Sequence, residues 1–343
     1  MEKKKWSLKK KLIVWSGSLF TLGVMAFAFV FYGPWDGFRN FWITSAMTTM
    51  NHQYLATWFY SDKTIQKVLA SNSVEEVDES TNPDLVQLRH YTDKTIYKNE
   101  YDKEVLTRDE GNDLYKVIEI KGASYQGYLV VLYDPSKISI ATTAYLGVRG
   151  QDILTVSKRE NAIIAMNAGG FYDPDWNSNG ALPHGTVISN GKVVSDYEDA
   201  RMGGGFICFT KENKLVLSKM SKEEALNIGC RDAVEFGPYL IVNGKSSFIN
   251  GNGGWGIAPR SAIGQRKDGI VLMLVINGRI PTSIGASMRD LTEVMERYGA
   301  YNASNLDGGS STELVIKNEI INTPVAGGRY GLRDMSTFWV VKE

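Results

Sequence analysis

The sequence predicts an α+β protein, with a domain of mainly antiparallel or mixed β-sheet and a few helices, preceded by one N-terminal transmembrane helix. Three observations predict this class. An uncharged apolar run stands near the N-terminus, pairs of short apolar runs separated by turn signals follow residue 113, and two helix-like segments interrupt those pairs. Many paired strands with few helices are typical of an antiparallel α+β domain.

Charge and composition exclude several classes of protein. The chain has 343 residues with 38 Lys+Arg and 38 Asp+Glu, whereas a nucleic-acid-binding domain is usually basic overall. A content of 43% hydrophobic and 22% charged residues is that of an ordinary globular chain rather than a disordered one. The zero net charge is unevenly distributed, because residues 1–11 hold six lysines and one glutamate and the chain after residue 32 is net acidic.

Residues 12–32 are predicted to be a transmembrane signal anchor, preceded by a basic cytoplasmic tail at residues 1–11. The run has no charged residue, and as a helix it would be about 31 Å long, close to the thickness of a hydrocarbon core. Lysines before a span stay cytoplasmic, which predicts a single-pass plasma-membrane protein with an extracellular catalytic domain. The alternatives are a cleaved signal peptide, whose apolar region is usually shorter, and a buried helix of a soluble protein.

Residues 33–70 are predicted to be an aromatic, helical juxtamembrane segment, broken near Ser61. Trp42, Met50, Tyr54 and Trp58 are spaced to form an apolar stripe. Such a stripe would lie on the outer leaflet or contact a membrane partner through residues 38–60. The alternative is a helix that covers the core of the following domain.

Residues 71–112 are polar and charged, which predicts a stalk or an irregular, partly ordered connector. Residues 113–343 are the predicted sheet domain. Its apolar runs are paired across Asn190-Gly191, a Lys-rich turn near 211–214, Asn243-Gly244 and Asp268-Gly269. Capping residues at Ser221 and Ser287 predict the starts of two helices.

The chain has few residues suited to metal binding or covalent catalysis. It contains three histidines and two cysteines, without the spacing of a zinc site, so no metal is predicted. No cofactor is predicted either, because the dinucleotide and phosphate-loop motifs are missing. Cys208 and Cys230 would pair outside the cell or remain as two buried thiols, and the sequence leaves both open.

Polar residues next to glycines mark the ends of three apolar runs. Asn167 precedes Gly169, Asp307 precedes Gly308-Gly309-Ser310, and Arg260 stands where a strand begins. Each pattern is common in plain tight turns. Together they also suit catalysis, since bare glycine amides can hold an anion and an adjacent carboxylate can act as acid, base or nucleophile.

These segments resemble the phosphodiester glycosidase family. The resemblance runs from Tyr115 to Val341 and rests on NAGGFYD, PHGTVISNGKVV, FGPYLIVNGK, APRSAIGQ, YGAYNASNLDGGSSTELVI and RDMSTFWVV. It implies hydrolysis of a sugar-1-phosphodiester between the anomeric carbon and the phosphate oxygen. Bacterial members with one membrane anchor look similar along residues 42–60 and are often described as exopolysaccharide-related. The resemblance therefore implies a cell-surface or exopolysaccharide glycan as substrate.

The resemblance also implies roles for individual residues. Asp307 would be the nucleophile or general base, Arg260 would hold the phosphodiester with Arg333, and Asn167 would bind a sugar hydroxyl or the phosphate. The implied catalytic residues are thus Asp307, Arg260 and Asn167, and the implied substrate-binding residues are Gly169, Gly308, Gly309, Ser310, Arg333, His184 and Glu235.

Several alternatives stay open at this point. Glu235 would be a second carboxylate at the site or a salt-bridged residue at a strand edge, and His184 would line the substrate or be structural. Ser310 stands where the family usually has a third glycine. The alternative function is that of a non-catalytic glycan-binding or polysaccharide-assembly factor on the same fold.

Overall fold

The computed structural model describes residues 7–49, 52–88, 96–173, 178–197 and 204–343. The chain divides into two compact units, Met1–Ala70 and Ser71–Glu343. The first unit is helical in its described part, and the second carries the β-sheets.

Helix α1 (Leu8–Tyr32) contains the predicted apolar run. The Ser7 hydroxyl accepts a hydrogen bond from the Lys10 backbone N–H at 3.4 Å and so caps the first turn. The helix is long and apolar enough to cross a membrane. None of its residues is buried against the described part of the chain, so its apolar side chains fit a surrounding other than water.

Three short helices follow α1: α2 (Asp36–Met47), α3 (Tyr54–Thr57) and α4 (Asp62–Ala70). Their break before Asp62 agrees with the prediction of a break near Ser61. Ile43, Ala56, Ile65 and Val68 form a small core between them.

The aromatic side chains of this unit do not form the single stripe that the spacing suggested. Trp42 turns inward, where its indole N–H donates to the Leu55 carbonyl at 2.6 Å and its ring lies 5.1 Å from that of Phe31. Tyr54 and Trp58 are exposed, with their rings 4.7 Å apart. Met50 lies outside the described residues.

The second unit contains three large sheets and one two-stranded sheet, and every strand pair described is antiparallel. The strands are β1 (Ser73–Glu75), β2 (Tyr115–Lys121), β3 (Gln126–Leu132), β4 (Ile138–Thr142), β5 (Ile164–Asn167), β6 (Gly185–Ser189), β7 (Lys192–Tyr197), β8 (Gly205–Thr210), β9 (Leu215–Ser218), β10 (Cys230–Phe236), β11 (Tyr239–Val242), β12 (Lys245–Ser246), β13 (Phe248–Asn250), β14 (Arg260–Arg266), β15 (Val271–Ile276), β16 (Ala300–Asn305), β17 (Leu314–Ile316), β18 (Glu319–Ile320) and β19 (Thr337–Val341). The helices are α5 (Glu100–Leu106), α6 (Ile153–Arg159), α7 (Lys222–Asn227) and α8 (Met288–Arg297).

The three large sheets differ in strand number and order. The first sheet has the order β7-β6-β10-β8-β9, the second β12-β11-β16-β14-β15-β3-β2, and the third β18-β17-β5-β19-β4. Apolar side chains from all three meet in one core, with Phe209, Met273 and Trp339 as representatives. Helix α8 covers the other face of the second sheet, and α6 covers that of the third. The α+β prediction is therefore confirmed.

The predicted turns and helix starts are found where the sequence placed them. Strand pairs β6–β7, β8–β9, β11–β12 and β14–β15 are hairpins around the four predicted turns. Ser221 and Ser287 each form a full capping box, with Glu224 and Asp290 as the reciprocal partners. These local signals hold because each satisfies backbone groups within a few residues.

Residues 71–112 differ from a free stalk in their described part. Strand β1 pairs with β13, Val86 and Val105 are buried, and the Asp102 carboxylate pairs with the buried Arg266 at 2.7 Å. This segment is therefore attached to the domain through some of its residues, while many of its polar residues remain exposed to solvent.

Cys208 on β8 and Cys230 at the start of β10 are joined in a disulfide, with a Cα–Cα distance of 5.8 Å. The two strands are neighbours in the first sheet. The pairing that the sequence left open is thereby decided in favour of the bridge, because hydrogen bonding of β8 to β10 brings the two Cβ atoms together.

Candidate active site

The candidate site lies where strand ends from the three large sheets meet. Asn167 is the last residue of β5 in the third sheet, and Arg260 is the first residue of β14 in the second. Asp307 follows β16, also in the second sheet, and Glu235 lies on β10 in the first. The backbone N–H of Asp307 donates to the Ala168 carbonyl at 3.1 Å, which ties two of these strand ends together.

Asn167 is fully buried and its amide holds three neighbours in place. Its Nδ2 donates to the Asp307 carbonyl at 2.6 Å. Its Oδ1 accepts from the Ser261 hydroxyl at 2.7 Å and from the Glu313 backbone N–H at 3.2 Å. With both lone pairs of Oδ1 engaged, the structure places Asn167 as a positioning residue beneath Asp307 rather than as a ligand of a sugar hydroxyl.

The Asp307 carboxyl is partly buried and held in one orientation. Its Oδ1 accepts from the Gly308 backbone N–H at 3.0 Å, and it also accepts from the Ser311 hydroxyl. Burial raises the pKa of the carboxyl above its ordinary value, while Ser311 and the charge of Arg333 act in the opposite direction. Such a carboxyl is suited to proton transfer or nucleophilic attack closer to neutral pH.

The turn after Asp307 is shaped by close contacts within the protein. A Cβ at Gly308 would lie 2.9 Å from the Pro259 carbonyl oxygen, and Gly309 has φ +60. The Gly309 N–H donates to Pro259 at 2.8 Å and the Ser311 N–H donates to Gly308 at 3.1 Å. Because these amides already have acceptors, they are not free to hold an anion as the glycine pattern suggested.

Arg260 is 4% exposed and anchored through carbonyl groups. Its Nε donates to Ala286 at 3.2 Å, and its Nη2 donates to Gly256 at 2.9 Å and to Trp255. No carboxylate in the described parts of the chain forms an ion pair with it. Burial and repulsion from Arg279 lower the pKa of Arg260 to about 9, against the attraction of Asp307, so the guanidinium stays charged at neutral pH.

Arg333 has a different set of partners from Arg260. It forms an ion pair with Asp173, its Nη1 donates to the Ser311 hydroxyl at 3.2 Å, and its guanidinium stacks 4.5 Å from the Phe171 ring. Arg333 therefore reaches Asp307 through Ser311, and its charge is already balanced by a carboxylate.

Glu313 is a residue that the sequence reasoning missed. It is fully buried, and its Oε1 accepts from the Arg333 backbone N–H at 2.6 Å. Its Oε2 has no hydrogen-bond partner among the described residues, and burial raises the pKa of the carboxyl well above its ordinary value. The acidic residue that directly follows Gly-Gly-Ser-Ser-Thr was a usable signal, since a glutamate opening an apolar strand is unusual.

Arg279 was also missed. Its Nη1 donates to the Ser310 hydroxyl at 3.4 Å, and its Nη2 lies 3.3 Å from the position that a Cβ at Gly309 would take. An arginine directly after Asn277-Gly278, at the end of a buried strand, was the signal in the sequence.

Glu235 and His184 lie on the side of the first sheet. Glu235 is on the central strand of the first sheet and forms no ion pair with a described residue. Its Oε1 accepts from the Thr186 backbone N–H at 2.9 Å. His184 is near enough to Asp307 to lower its pKa. Gly169 packs against β10, where a Cβ would lie 3.3 Å from Val234 Cβ.

The described residues contain no group of three or more His, Cys, Asp or Glu side chains that could hold a metal ion. The described site thus offers the partly buried carboxyl of Asp307, three arginines around the turn that follows it, and a second carboxyl, Glu235, on the neighbouring sheet. Carboxyl groups near a sugar and guanidinium groups near a phosphate are what cleavage of a sugar phosphate ester needs.

Comparison with known proteins finds a matching family model and a similar curated protein. A family model described as phosphodiester glycosidase matches residues 160–342. The SPbeta prophage-derived uncharacterized protein YomE of Bacillus subtilis (strain 168) is 29% identical over 199 residues, which are 55% of this chain and 30% of that protein. The chain therefore spans less than a third of the length of that curated relative.

A solved structure shares the fold. The zebrafish N-acetylglucosamine-1-phosphodiester alpha-N-acetylglucosaminidase catalytic domain, auto-inhibited by its pro-peptide, matches with a TM-score of 0.55 and 18% identity. The match covers 68% of this chain and 85% of that one. Because the family model covers more than half of the chain, the protein belongs to the phosphodiester glycosidase family.

Proposed function

We propose that the protein is a membrane-anchored hydrolase that cleaves the bond between the anomeric carbon and the phosphate oxygen of a sugar-1-phosphodiester. The single observation that carries the proposal is the position of the buried Arg260 guanidinium beside the turn that begins at Asp307. Its Nη1 lies 3.6 Å from the position of a Cβ at Gly308, whose N–H donates to the Asp307 carboxyl. Family membership supports the same reaction class.

The reaction that fits this site replaces one C–O bond by another. The oxygen of water forms a bond to the anomeric carbon, directly or after attack by the Asp307 carboxylate. The proton that water loses passes to Asp307 in the direct route and to solvent in the covalent one. The bond from that carbon to the phosphate oxygen breaks, and its electron pair stays on the phosphate, which leaves as a monoester. A phosphate monoester is a good leaving group, so a nearby guanidinium such as that of Arg260 can stabilise the developing charge without a strong general acid.

The test identifies which bond breaks. The full-length protein in detergent is incubated with a sugar-1-phosphodiester in ¹⁸O-water, and both products are analysed by mass spectrometry. We expect ¹⁸O in the released sugar and none in the phosphate monoester. Label in the phosphate would mean attack at phosphorus and would refute the proposal. Saturable binding of the diester without turnover would favour the alternative, a non-catalytic glycan-binding or polysaccharide-assembly factor.

The proposed location is the plasma membrane, with the N-terminus in the cytoplasm and the domain outside. The six lysines in residues 1–11, the apolar helix α1 and the Cys208–Cys230 disulfide support it, because disulfides persist in oxidising compartments. Protease added to intact cells is expected to remove the domain and leave an N-terminal fragment. Protection of the domain until the cells are lysed would contradict this orientation.

The proposed substrate is a phosphodiester-linked glycan of the cell surface or of an exopolysaccharide.

Exposed aromatic side chains at Tyr54 and Trp58 support contact of residues 38–60 with the outer leaflet or with a membrane partner. The fluorescence of Trp58 in the segment 38–60 is expected to shift to shorter wavelength when lipid vesicles are added. An unchanged spectrum would count against this contact.

A further inference from the structure

The two arginines that the resemblance assigned to the phosphate are not equally available. Arg333 is paired with the Asp173 carboxylate and stacked on Phe171. Arg260, in contrast, has no carboxylate partner among the described residues and is held by carbonyl oxygens. A second guanidinium that can act with Arg260 must therefore come from elsewhere.

Arg279 supplies that second guanidinium. It acts electrostatically on Arg260, and like Arg260 it forms no ion pair with a described carboxylate. Arg260 Nη1 lies 3.6 Å from the position of a Cβ at Gly308, and Arg279 Nη2 lies 3.3 Å from the position of a Cβ at Gly309. Both guanidinium groups thus lie beside the same turn.

The backbone at Arg279 is held in an uncommon conformation. Arg279 has φ +59, in the left-handed region that non-glycine residues seldom occupy. Its N–H donates to the Ile284 carbonyl at 2.9 Å, and the loop is closed by an Ile280–Ser283 bridge. The Ser283 hydroxyl fixes this loop to β15 by donating to the Asn277 carbonyl at 2.7 Å. The loop thereby directs the Arg279 side chain toward the turn at Ser310.

Two cationic side chains lie at this turn without a carboxylate partner. Arg260 and Arg279 approach Gly308 and Gly309, and neither forms an ion pair with a described carboxylate. Arg260 is buried and Arg279 is exposed, so Arg279 is open to a substrate, and an anion bound between the two would relieve its repulsion of the buried Arg260 charge. Guanidinium groups bind phosphate through paired N–H donors, which makes an oxyanion of phosphorus the best fit.

Building on the proposed function, we propose that Arg260 and Arg279, with the Ser310 hydroxyl, form the phosphate subsite, and that Arg279 holds the leaving phosphate monoester. As the bond to the anomeric carbon breaks, the phosphate gains a second negative charge on the former bridging oxygen. Two unpaired guanidinium groups favour this dianion over the singly charged diester. Asp307 directly precedes the turn, so the sugar carbon attached to that phosphate would face the carboxyl. Arg333 is then a positioning residue for Ser311 and Asp307.

The test measures phosphate binding without turnover. The full-length protein in detergent is titrated with inorganic phosphate by calorimetry, as wild type and as Arg279→Gln, Arg279→Lys and Arg329→Gln. Arg329 is the matched control, because it is exposed and its guanidinium donates to the hydroxyl of the adjacent Tyr330 at 2.8 Å. We expect Arg279→Gln to weaken phosphate binding about 10- to 100-fold, Arg279→Lys to weaken it less, and Arg329→Gln to leave it unchanged.

Wild-type phosphate affinity in folded Arg279→Gln, judged by an unchanged melting temperature, would overturn the inference. An equal loss in Arg329→Gln would also overturn it, since the effect would then be one of net charge. If Arg279→Gln does not fold, Arg279→Lys decides by the same comparison. Phosphate binding through Arg279 in a protein that releases no sugar would refute the proposed reaction and leave the subsite standing. If the protein releases sugar but its phosphate binding does not depend on Arg279, the subsite is refuted and the proposed reaction stands.

Discussion

Replacing Asn167 by alanine tests whether this residue positions Asp307 or binds substrate. The substitution removes three buried hydrogen bonds, at 2.6, 2.7 and 3.2 Å. Each contributes about 1 kcal/mol net, and a buried group left without a partner costs roughly 1–3 kcal/mol. The free energy of unfolding should therefore fall by about 3–6 kcal/mol, a large part of the usual total of about 5–15 kcal/mol.

The assay is urea unfolding of residues 71–343, which form one compact unit with their own cores. Ser261→Ala is the matched control, because it removes one of the three bonds and should cost about 1 kcal/mol. A substrate-binding residue would behave differently, raising KM while leaving unfolding unchanged. An Asn167→Ala variant as stable as the wild type would refute the positioning role and restore the role that the sequence suggested.

Three further predictions concern the carboxyls and the disulfide. Burial raises the pKa of Glu313 in the folded protein, so the unfolded chain loses its proton first as pH rises above about 4.5. Between that pH and the higher pKa of the folded state, the wild type should lose stability relative to Glu313→Gln by about 1.4 kcal/mol per pH unit. Equal slopes in urea unfolding at several pH values would contradict this. Because Arg333 lowers the pKa of Asp307, Arg333→Gln should move the acid limb of kcat/KM to higher pH, and an unmoved limb would exclude the coupling. Replacing Cys208 and Cys230 by alanine should lower the free energy of unfolding by about 3 kcal/mol, given a loop of 22 residues; an unchanged urea midpoint would argue against a bridge in solution.

Local features of the fold were predictable from the sequence. The Asn-Gly and Asp-Gly turns, the two capping boxes and the apolar helix α1 each depend on neighbouring residues, and each was found at its predicted place. The order of strands in the three sheets was not predictable, because pairs such as β5 with β19 join residues far apart in sequence.

Two segments differ in part from the expectation, and the physical reason is the same for both. Residues 71–112 look like a solvated connector because their polar groups are many, yet the Asp102–Arg266 pair shows that such groups can be satisfied within the protein. The predicted stripe of Trp42, Tyr54 and Trp58 failed for a related reason, since Trp42 found a carbonyl partner inside the unit. Composition reports which groups need partners, but it does not say where the partners are.

At the candidate site, the sequence predicted which residues lie together, but it did not predict what each of them contacts. Asp307 and Arg260 lie together at the strand ends, as the glycine-flanked pattern suggested. The partners of Asn167 and Arg333 depend on residues distant in sequence, Glu313 and Asp173, and so did not follow from the motifs. Arg279 enters the site through the left-handed turn after β15, which no local pattern specifies for an arginine.

Turnover by Asp307→Asn tests the proposed reaction at its reacting carboxyl. The substitution keeps the shape of the side chain and its acceptor for the Gly308 N–H, but removes the group that attacks or activates water. The full-length variant should release sugar from a sugar-1-phosphodiester at least about 1,000-fold more slowly, while inorganic phosphate still binds with affinity equal to or higher than that of the wild type. Sugar release at the wild-type rate by this variant would contradict the proposed role of Asp307 as nucleophile or general base.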